Sequence, residues 1–465
     1  MDFRVGEVVD VTGGDLLAGR AEATAGPIST DTRTLGAGET FLALRGPRFD
    51  GHDFLVQAVE RGARCLVIER GRAPVAVGGG ELPYAIVAVD DTLEALASLA
   101  RVVRKRLACP VIAITGSAGK TTLKEMLGRV LGRRLKGCLP PASFNNLVGV
   151  PLTLLRAEPD DEFVLCELGT NAPGEIARLA DLTRPTIGVV TLVAAAHLEG
   201  LGSVEGVAAE KSAMVAALPA DGVAILNADD ERVAAMAQQC RGRVVTFGID
   251  NSADLRARDV IQTEQGVQFS AGGPGHAEGV GFALPVLGKH QVLLALAAAA
   301  VARELGIPLE ETAEALQGFR PPPMRLTVDQ VGGIVLVNDA YNASPESMRA
   351  ALNLLRLWPE RRKVFFCGDM LELGGHSAAA HAALGRAAVE AGVKRLICVG
   401  RETGRTAESA VAAGLAAEVV TRYGEVSEAA AEAPSIVWTG DVVLVKGSRA
   451  MQMEQVADAI ADALR

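Results

Sequence analysis

Short apolar runs alternate with amphipathic stretches along this chain, and the alternation predicts its elements. Up to about residue 90, β-like runs (TFLALRG, RCLVIER, AIVAVDD) surround one helical stretch, FLVQAVERGA. The segment from Thr92 to Leu107 has the spacing of an amphipathic helix and leads into the strand PVIAIT. The runs FVLCELG, TIGVVTLV, GVAILNAD and RVVTFGI then alternate with helical segments. Such alternation indicates a mostly parallel sheet with crossover helices.

A proline-rich segment sets off the last third of the chain. PPPMR, from Pro321 to Arg325, forbids a helix and is expected to form a stiff linker. Beyond it, GIVLVNDA, KVFFCGD, RLICVG and DVVLVKG alternate with helical segments and predict a second, smaller sheet. We therefore predict an α/β chain of three domains: a small one at 1–90, a central parallel-sheet domain at 91–320 and a C-terminal Rossmann-like domain at 321–465.

Composition narrows the class of protein. The 465 residues carry a formal net charge of -10, and contact with nucleic acid phosphates needs dense Lys and Arg, so nucleic acid is not expected as the main partner. The first residues, MDFRVGEVVD, lack the layout of a signal peptide. The longest apolar run, Val292 to Ala302, is shorter than the about 20 residues that span a bilayer. We expect a cytoplasmic protein without membrane insertion, whose scattered cysteines are reduced.

Residues 111–122, VIAITGSAGKTT, carry the clearest chemical signal, a strand followed by a Gly-rich turn and a helical segment. Backbone N–H groups in such a turn cradle phosphates, while Lys120 can reach the β- and γ-phosphates and the Thr121 hydroxyl can hold Mg²⁺. The turn is the shorter G-x-x-G-K-T form, because Ile114 occupies the first Gly position of the longer pattern. The predicted phosphate-binding positions are Gly116, Ser117, Ala118, Gly119, Lys120, Thr121 and Thr122. A P-loop predicts nucleotide binding and leaves hydrolase, kinase and ligase open.

Six further segments resemble the Mur ligases of bacterial cell-wall synthesis. They are STDTR at 29–33, GETFLALRGPRFDGHDF at 38–54, SFNNLVGVPLTLL at 143–155, CELGTNAPGEI at 166–176, AHLEGLGSVEGVAAEKS at 196–212 and NDAYNASPESM at 338–348. The resemblance covers all three predicted domains in order. It implies an enzyme that uses ATP and Mg²⁺ to phosphorylate the terminal carboxylate of a UDP-sugar peptide. An amine then attacks the acyl-phosphate and forms an amide.

The resemblance implies roles for residues of the central domain. Thr121 and Glu167 would hold one Mg²⁺, and a carbamoylated Lys211 would supply carboxylate-like oxygens for a second. From the residues alone, Glu167 could equally be a solvated strand-end carboxylate, His197 an ordinary core or surface residue, and Lys211 a solvated helix residue. The predicted catalytic residues are Lys120, Glu167, His197 and Lys211, and the predicted metal ligands are Thr121, Glu167, His197 and Lys211.

The resemblance also implies substrate and nucleotide contacts. Arg325 would reach the phosphates and Asp339 the ribose from the third domain, although Arg325 could also be plain solvated charge. At the adenine side His290 is present, whereas Gln291 and Leu294 depart from the family's H-N-x-x-N run, and Leu192 replaces an Asn. The expected substrate-binding residues are Thr30, Asp31, Arg33, Arg45, Asp50, His52, Asn145, Asn146, Thr170, Tyr341 and Asn342. The alternatives are a turn at Asn145-Asn146 and at Asp50-Gly51, and a helix cap at Thr170.

The last domain favours one branch of the family. The branch that adds diaminopimelate or lysine carries an Asp-Asn-Pro-Arg motif, which this sequence lacks. NDAYNASP and VKGSRA point instead to the branch that joins D-alanyl-D-alanine to UDP-N-acetylmuramoyl-tripeptide. Lys446 and Arg449 follow the strand DVVLV and are the predicted clamp for the dipeptide carboxylate, unless both are solvated charges. The diaminopimelate- or lysine-adding ligase and a non-catalytic nucleotide-binding regulator remain as alternatives.

Overall fold

The computed structural model describes residues 2–46, 49–72, 83–273 and 278–465. Three sheets, with helices packed on them, form three successive α/β units, as the sequence predicted. Across the described ranges, helices are all too short or too polar to cross a membrane.

The first unit is built on a five-stranded sheet. Its strands are β1 (Asp15–Ala18), β2 (Ile28–Ser29), β3 (Thr40–Leu42), β4 (Cys65–Glu69) and β5 (Ala85–Val89), and its helices are α1 (Val5–Thr12) and α2 (Leu55–Glu60). The strand order is β1-β5-β4-β3-β2, and all neighbours are parallel except β1 and β5. The central strands β4 and β5 are apolar on both faces because both faces are covered.

The central unit has a nine-stranded sheet in the order β14-β13-β12-β11-β10-β9-β6-β8-β7. Its strands are β6 (Val111–Thr115), β7 (Gly137–Cys138), β8 (Phe163–Glu167), β9 (Ile187–Val190), β10 (Val223–Asn227), β11 (Arg243–Gly248), β12 (Leu255–Thr263), β13 (Gly266–Gly272) and β14 (Val280–Leu284). Its helices are α3 (Thr92–Arg106), α4 (Lys120–Leu131), α5 (Gly149–Arg156), α6 (Glu175–Thr183), α7 (Leu198–Leu201), α8 (Val204–Ala216), α9 (Glu231–Ala235), α10 (Lys289–Glu304) and α11 (Leu309–Gln317). The pairings from β7 to β12 are parallel, and β13 and β14 add an antiparallel extension that the sequence did not predict.

The third unit contains a six-stranded sheet in the order β15-β16-β20-β17-β18-β19, in which β15 is antiparallel. Its strands are β15 (Thr327–Val331), β16 (Ile334–Asp339), β17 (Lys363–Gly368), β18 (Arg395–Val399), β19 (Val420–Tyr423) and β20 (Val442–Lys446). Its helices are α12 (Pro345–Leu354), α13 (Ser377–Glu390), α14 (Thr403–Ala412), α15 (Val426–Ile436) and α16 (Glu454–Leu464). Short 3₁₀ turns occur at Gly51–Phe54, Met236–Gln239, Leu355–Leu357, Gly374–His376, Ala417–Val419 and Arg449–Met451. The Pro321 to Arg325 segment is free of helix, as predicted.

The segments that connect the three units lie near the predicted domain boundaries, but they do not define the exact boundary residues. Helix α3 packs on α1 as well as on α5 and α6, so it bridges the first two sheets. The boundaries at residues 90 and 320 therefore stay predictions.

The sheet topology places the candidate chemistry at strand ends. Strands β8, β6 and β9 are neighbours, so their carboxyl ends meet at one edge of the central sheet. The P-loop follows β6, Glu167 ends β8, and a loop carrying His197 follows β9. In the third unit β16 and β20 are neighbours, and Asp339 pairs in register with Lys446. Open α/β sheets bind ligands at such edges.

Candidate active site

The P-loop turns tightly between β6 and α4 because two positions accept only glycine. Gly116 and Gly119 have φ of 144° and 85°. A Cβ on Gly116 would lie 1.9 Å from Thr191 Oγ1, and one on Gly119 would lie 2.8 Å from Leu294 Cδ2. Leu294, one of the departures at the adenine side, therefore packs directly against the phosphate loop.

An ammonium, a hydroxyl and a carboxylate meet at the start of α4. Lys120 Nζ donates a hydrogen bond to Gly116 O at 2.7 Å, and Thr121 Oγ1 donates one to Glu167 Oε2 at 3.1 Å. Burial lowers the pKa of Lys120, and the charge of Glu167 opposes this shift. These groups are the ones that a phosphate and its counter-ion need.

Glu167 is a fully buried carboxylate and not a solvated strand end. Burial raises its pKa, and the charges of Lys120 and Lys124 oppose that shift. Within the described residues its Oε1 has no hydrogen-bond partner. An unpartnered buried carboxylate oxygen is unfavourable, and a cation would satisfy it. Carboxylate and hydroxyl oxygens are ligands that Mg²⁺ prefers, so Glu167 and Thr121 fit a magnesium site.

Lys211 lies on α8 and is 2% exposed, which corrects the alternative of a solvated lysine. Burial is the main cause that lowers its pKa to about 7; the charge of Lys120 contributes to this shift, and Glu210 opposes it. Across the part of the chain that the structure describes, its Nζ has neither a hydrogen bond nor an ion pair. The site thus contains a buried amine without an acceptor as well as a carboxylate oxygen without a donor.

Glu210, which the sequence analysis missed, fixes the position of α8. Its carboxylate accepts hydrogen bonds from Gly174 N at 2.8 Å and from Ile176 N at 2.7 Å, at the start of α6. Thr170 Oγ1 donates to Ala172 O at 2.9 Å and lies 3.5 Å from Glu210 Oε1. The adjacent Glu and Lys on a helix were the available signal, but only the fold shows that both are buried.

His197 is held by a residue of the third unit. Its Nδ1 lies 2.6 Å from Glu372 Oε2, and this contact lowers the pKa of the Glu372 carboxyl. Both residues have a left-handed backbone, with φ of 55° and 62°. Glu372 was not among the predicted site residues.

Arg325 joins the third unit to the P-loop. Its Nη2 donates to Thr121 Oγ1 at 3.0 Å, and its guanidinium stacks 3.7 Å from the centre of the Tyr341 ring. Tyr341 OH donates to Ser143 Oγ at 2.8 Å. Ser143 was missed, although it opens the segment SFNN. Arg325 is therefore not a solvated linker charge, and it stays a candidate phosphate contact.

Asp339 and Lys446, both predicted site residues, form an ion pair with each other. Lys446 Nζ contacts Asp339 Oδ2 directly and donates to Asn342 O at 2.8 Å, while Asp339 Oδ1 accepts from Leu326 N at 3.1 Å. Burial raises the pKa of Asp339, and Lys446 opposes the shift. Both carboxylate oxygens are occupied, so the pair braces the segment after Arg325. A carboxylate can accept further hydrogen bonds and an ammonium has a third proton, so the ribose contact of Asp339 and the clamp role of Lys446 stay predictions.

Arg449, the other residue of the predicted clamp, lies nearer the surface. Its side chain is 48% exposed and forms an ion pair with Glu454 at 2.8 Å.

The expected uridine-side loop of the first unit is exposed. Arg33 Nη2 lies 2.7 Å from Asp31 Oδ2, and hydrogen bonding to Arg33 lowers the pKa of Asp31. Thr30 precedes this pair and is partly buried. The three residues lie together on the surface, where a ligand can reach them.

His52 and Asp50 form an internal contact. His52 Nδ1 lies 2.6 Å from Asp50 Oδ1, and its Nε2 accepts a hydrogen bond from Glu69 N at 2.9 Å. Arg45 and Asp50 form a backbone bridge in the same turn. Because both ring nitrogens have partners, His52 supports this turn, and its place in the substrate site stays a prediction.

The two asparagines before α5 have different surroundings. Asn146 Oδ1 accepts from Gly149 N at 2.8 Å and from Val148 N at 3.2 Å, so it forms a local turn before α5, as the structural alternative proposed. The Asn145 side chain lies against Gly169, where a Cβ would be 2.8 Å from Asn145 Cγ. Asn145 thus lies beside Gly169, which is two residues beyond Glu167 at the end of β8.

At the start of α10, Gln291 and Leu294 are buried and His290 is partly buried. Desolvation, with a smaller contribution from the charge of Lys446, lowers the pKa of His290 to about 4. Gln291 Nε2 lies 3.3 Å from His290 Nε2, and within the described residues Gln291 Oε1 has no partner. Gln291 therefore keeps one polar atom available at this position.

Comparison with known proteins places the chain in a family. Three family descriptions match it in order: "Mur ligase family, catalytic domain" at residues 27–104, "Mur ligase middle domain" at 114–302 and "Mur ligase, glutamate ligase domain" at 324–449. The chain belongs to the Mur ligase family.

Individual relatives agree with that placement. The UDP-N-acetylmuramoyl-tripeptide--D-alanyl-D-alanine ligase of Escherichia coli (strain K12) is 36% identical over 457 residues, which cover 98% of this chain and 97% of the relative. A crystal structure of MurF from Acinetobacter baumannii is 30% identical, covers 99% of both chains and has a TM-score of 0.88. MurF ligase from Thermotoga maritima in complex with ADP is 26% identical, covers 95% of this chain and 98% of its own, and has a TM-score of 0.81.

Proposed function

We propose that this protein is an ATP-dependent ligase that joins D-alanyl-D-alanine to UDP-N-acetylmuramoyl-tripeptide in the cytoplasmic stage of peptidoglycan precursor synthesis. The observation that carries the proposal is the meeting of Lys120, Thr121, Glu167 and Arg325 at one edge of a P-loop sheet. Such a site can bring a γ-phosphate and a carboxylate together. The similarity to D-alanyl-D-alanine ligases over nearly the whole chain supports the choice of substrates.

The reaction is a phosphoryl transfer followed by an acyl transfer. A carboxylate oxygen of the tripeptide attacks the γ-phosphorus, and ADP leaves. The dipeptide amine then attacks the acyl carbon, phosphate leaves with the former carboxylate oxygen, and the amine loses a proton. Lys120 and Arg325 lower the repulsion between the two anions in the first step. Mg²⁺, when held by Thr121 and Glu167, supplies further charge neutralisation.

Lys211 has the chemistry needed for a carbamate. Its neutral amine can attack the carbon of CO₂, forming an N–C bond and releasing a proton. A pKa of about 7 leaves a large fraction of the Lys211 amine neutral near pH 7. The buried Nζ has no hydrogen-bond acceptor among the described residues, so a new group can form there without breaking a contact. The carbamate oxygens, with His197, would hold a second Mg²⁺. A high-resolution map of the Mg²⁺- and nucleotide-bound crystal that contained a bare ammonium would overturn this assignment.

The three units would divide the substrates between them. The 1–90 unit would bind the UDP-sugar peptide through Thr30, Asp31 and Arg33, and the 91–320 unit would bind ATP. The 321–465 unit would bind the dipeptide, with Arg449 on its carboxylate, and close on ATP through Arg325. The opposite charges of Arg449 and a carboxylate favour this contact.

Phosphate release with different substrate pairs tests the function. We expect amine-dependent release from ATP with UDP-N-acetylmuramoyl-tripeptide and D-alanyl-D-alanine, and none with UDP-N-acetylmuramoyl-dipeptide and diaminopimelate or lysine. Robust turnover of the second pair would assign the protein to the other branch of the family. ATP binding without any amine-dependent release would favour a regulator.

A further inference from the structure

Hydrogen bonds of Ser117 join the phosphate loop to residues 192–199, which comprise the loop after β9 that carries His197 and the first two residues of α7 and are called the 192–199 loop below. Ser117 N donates to Leu192 O at 2.9 Å, and Ser117 Oγ donates to Ala194 O at 3.2 Å. The same hydroxyl accepts from Ala194 N at 2.9 Å. Because both the backbone N–H and the hydroxyl of Ser117 bond to the backbone of the 192–199 loop, a displacement of that loop displaces Ser117.

The third unit also contacts the 192–199 loop, through two glutamate residues. Glu372 Oε2 lies 2.6 Å from His197 Nδ1, and the backbone oxygen of Glu372 accepts a hydrogen bond from Glu199 N at 3.2 Å. Glu346 Oε1 accepts from Ala195 N at 3.4 Å. The 192–199 loop is thus placed between the phosphate loop and the third unit.

Backbone conformation and ring chemistry indicate that the Glu372 contact is specific. His197 and Glu372 both adopt the left-handed region, which is unfavourable for non-glycine residues and persists where surrounding contacts hold it. A neutral histidine that donates its Nδ1 proton to a carboxylate has an unprotonated Nε2. That is the form of histidine that binds a metal ion, and an outer carboxylate fixes both the tautomer and the ring orientation.

We propose that Glu372 is a positioning residue that couples closure of the third unit to the active site. It sets the orientation and tautomer of His197, and it holds the 192–199 loop against Ser117 of the phosphate loop. The catalytic consequence rests on the proposed ligase function, whereas the coupling between Glu372 and the 192–199 loop does not.

Hydrogen–deuterium exchange of the full chain without nucleotide tests the coupling. In Glu372→Ala we expect peptides covering the 192–199 loop to exchange about threefold to fivefold faster, the range for losing a partly exposed charged contact. Glu390→Ala is the matched control, because it removes the same side chain from the exposed end of α13. Exchange in the control should equal that of the wild type. Loop exchange in Glu372→Ala within twofold of Glu390→Ala would overturn the proposal.

A double-mutant cycle separates positioning from a general structural effect. If Glu372 acts through His197, Glu372→Ala should add no further exchange, and no further loss of kcat, in a His197→Ala background. Independent, additive effects of the two changes would overturn the positioning role. Should the wild type release no phosphate with any substrate pair, the ligase function fails, and the exchange cycle alone still decides the coupling.

Discussion

Replacing Lys446 with Met should destabilise the third unit by about 3–5 kcal/mol, because it leaves the Asp339 carboxylate buried and unpaired. The Lys446 side chain is 2% exposed and that of Asp339 is 13% exposed, so water screens the pair little. The unpaired carboxyl can relieve its charge by taking up a proton. Protonating a carboxyl with an ordinary Asp pKa of about 3.9 at pH 7 costs about 4 kcal/mol, which lies within the destabilisation expected above.

The dependence on pH has a definite sign. Burial already raises the pKa of folded Asp339, and removing Lys446 raises it further because a lowering charge is lost. A carboxyl whose pKa is higher in the folded than in the unfolded state stabilises the folded state most at pH values below the unfolded pKa. That stabilisation is lost as the pH rises through the folded pKa. The deficit of Lys446→Met should therefore be small near pH 4 and largest near pH 7.

Urea unfolding followed by tryptophan fluorescence measures this stability. The chain's two tryptophans, Trp358 and Trp438, both lie in the third unit, so the signal reports that unit. Lys394→Met, at an exposed lysine of the same unit, is the matched control and should unfold like the wild type. Adding Asp339→Asn to Lys446→Met should recover most of the loss, because the amide oxygen can still accept from Leu326 N. A loss under about 1 kcal/mol at pH 7, with a raised KM for D-alanyl-D-alanine, would refute the bracing role and favour the clamp.

Three further changes test the active site. Lys120→Ala should lower kcat by about a hundredfold or more with an unchanged unfolding midpoint, since it removes a phosphate-binding charge; near wild-type turnover would contradict the P-loop role. Lys211→Ala should lose activity and recover part of it when short carboxylic acids are added in a steady-state assay, and a lack of recovery at any concentration would count against the carbamate. Arg449→Ala should raise KM for D-alanyl-D-alanine and leave KM for ATP nearly unchanged, and equal shifts in both would remove Arg449 from the dipeptide site.

Much of the fold could be predicted because its signals are local. The apolar β-branched run before GSAGKTT and the helical period after it both come from neighbouring residues, and they became β6 and α4. Three successive α/β units likewise follow from alternating runs. Strands β12 to β14 were missed, since polar residues or glycine interrupt the apolar positions of LRARDVIQT, GVQFSAG and VGFAL and leave no long apolar run.

The site was less predictable because its contacts join distant residues. Asp339 and Lys446 are 107 positions apart, and only the neighbouring placement of β16 and β20 makes them a pair. Glu372 reaches His197 across 175 positions from another unit. A motif can identify such residues, but it cannot tell a ligand-binding charge from one that is neutralised inside the protein. The sequence therefore predicted a substrate role for Lys446 but could not show its ion pair with Asp339.

The central claim is that the amide forms by way of an acyl-phosphate, and an isotope-transfer measurement tests it most directly. UDP-N-acetylmuramoyl-tripeptide labelled with ¹⁸O in its terminal carboxylate is incubated with ATP, Mg²⁺, D-alanyl-D-alanine and the protein, and the released phosphate is analysed by mass spectrometry. We expect one ¹⁸O atom in each phosphate, because the carboxylate oxygen that attacks phosphorus leaves with it. Unlabelled phosphate released alongside amide product would rule out an acyl-phosphate intermediate.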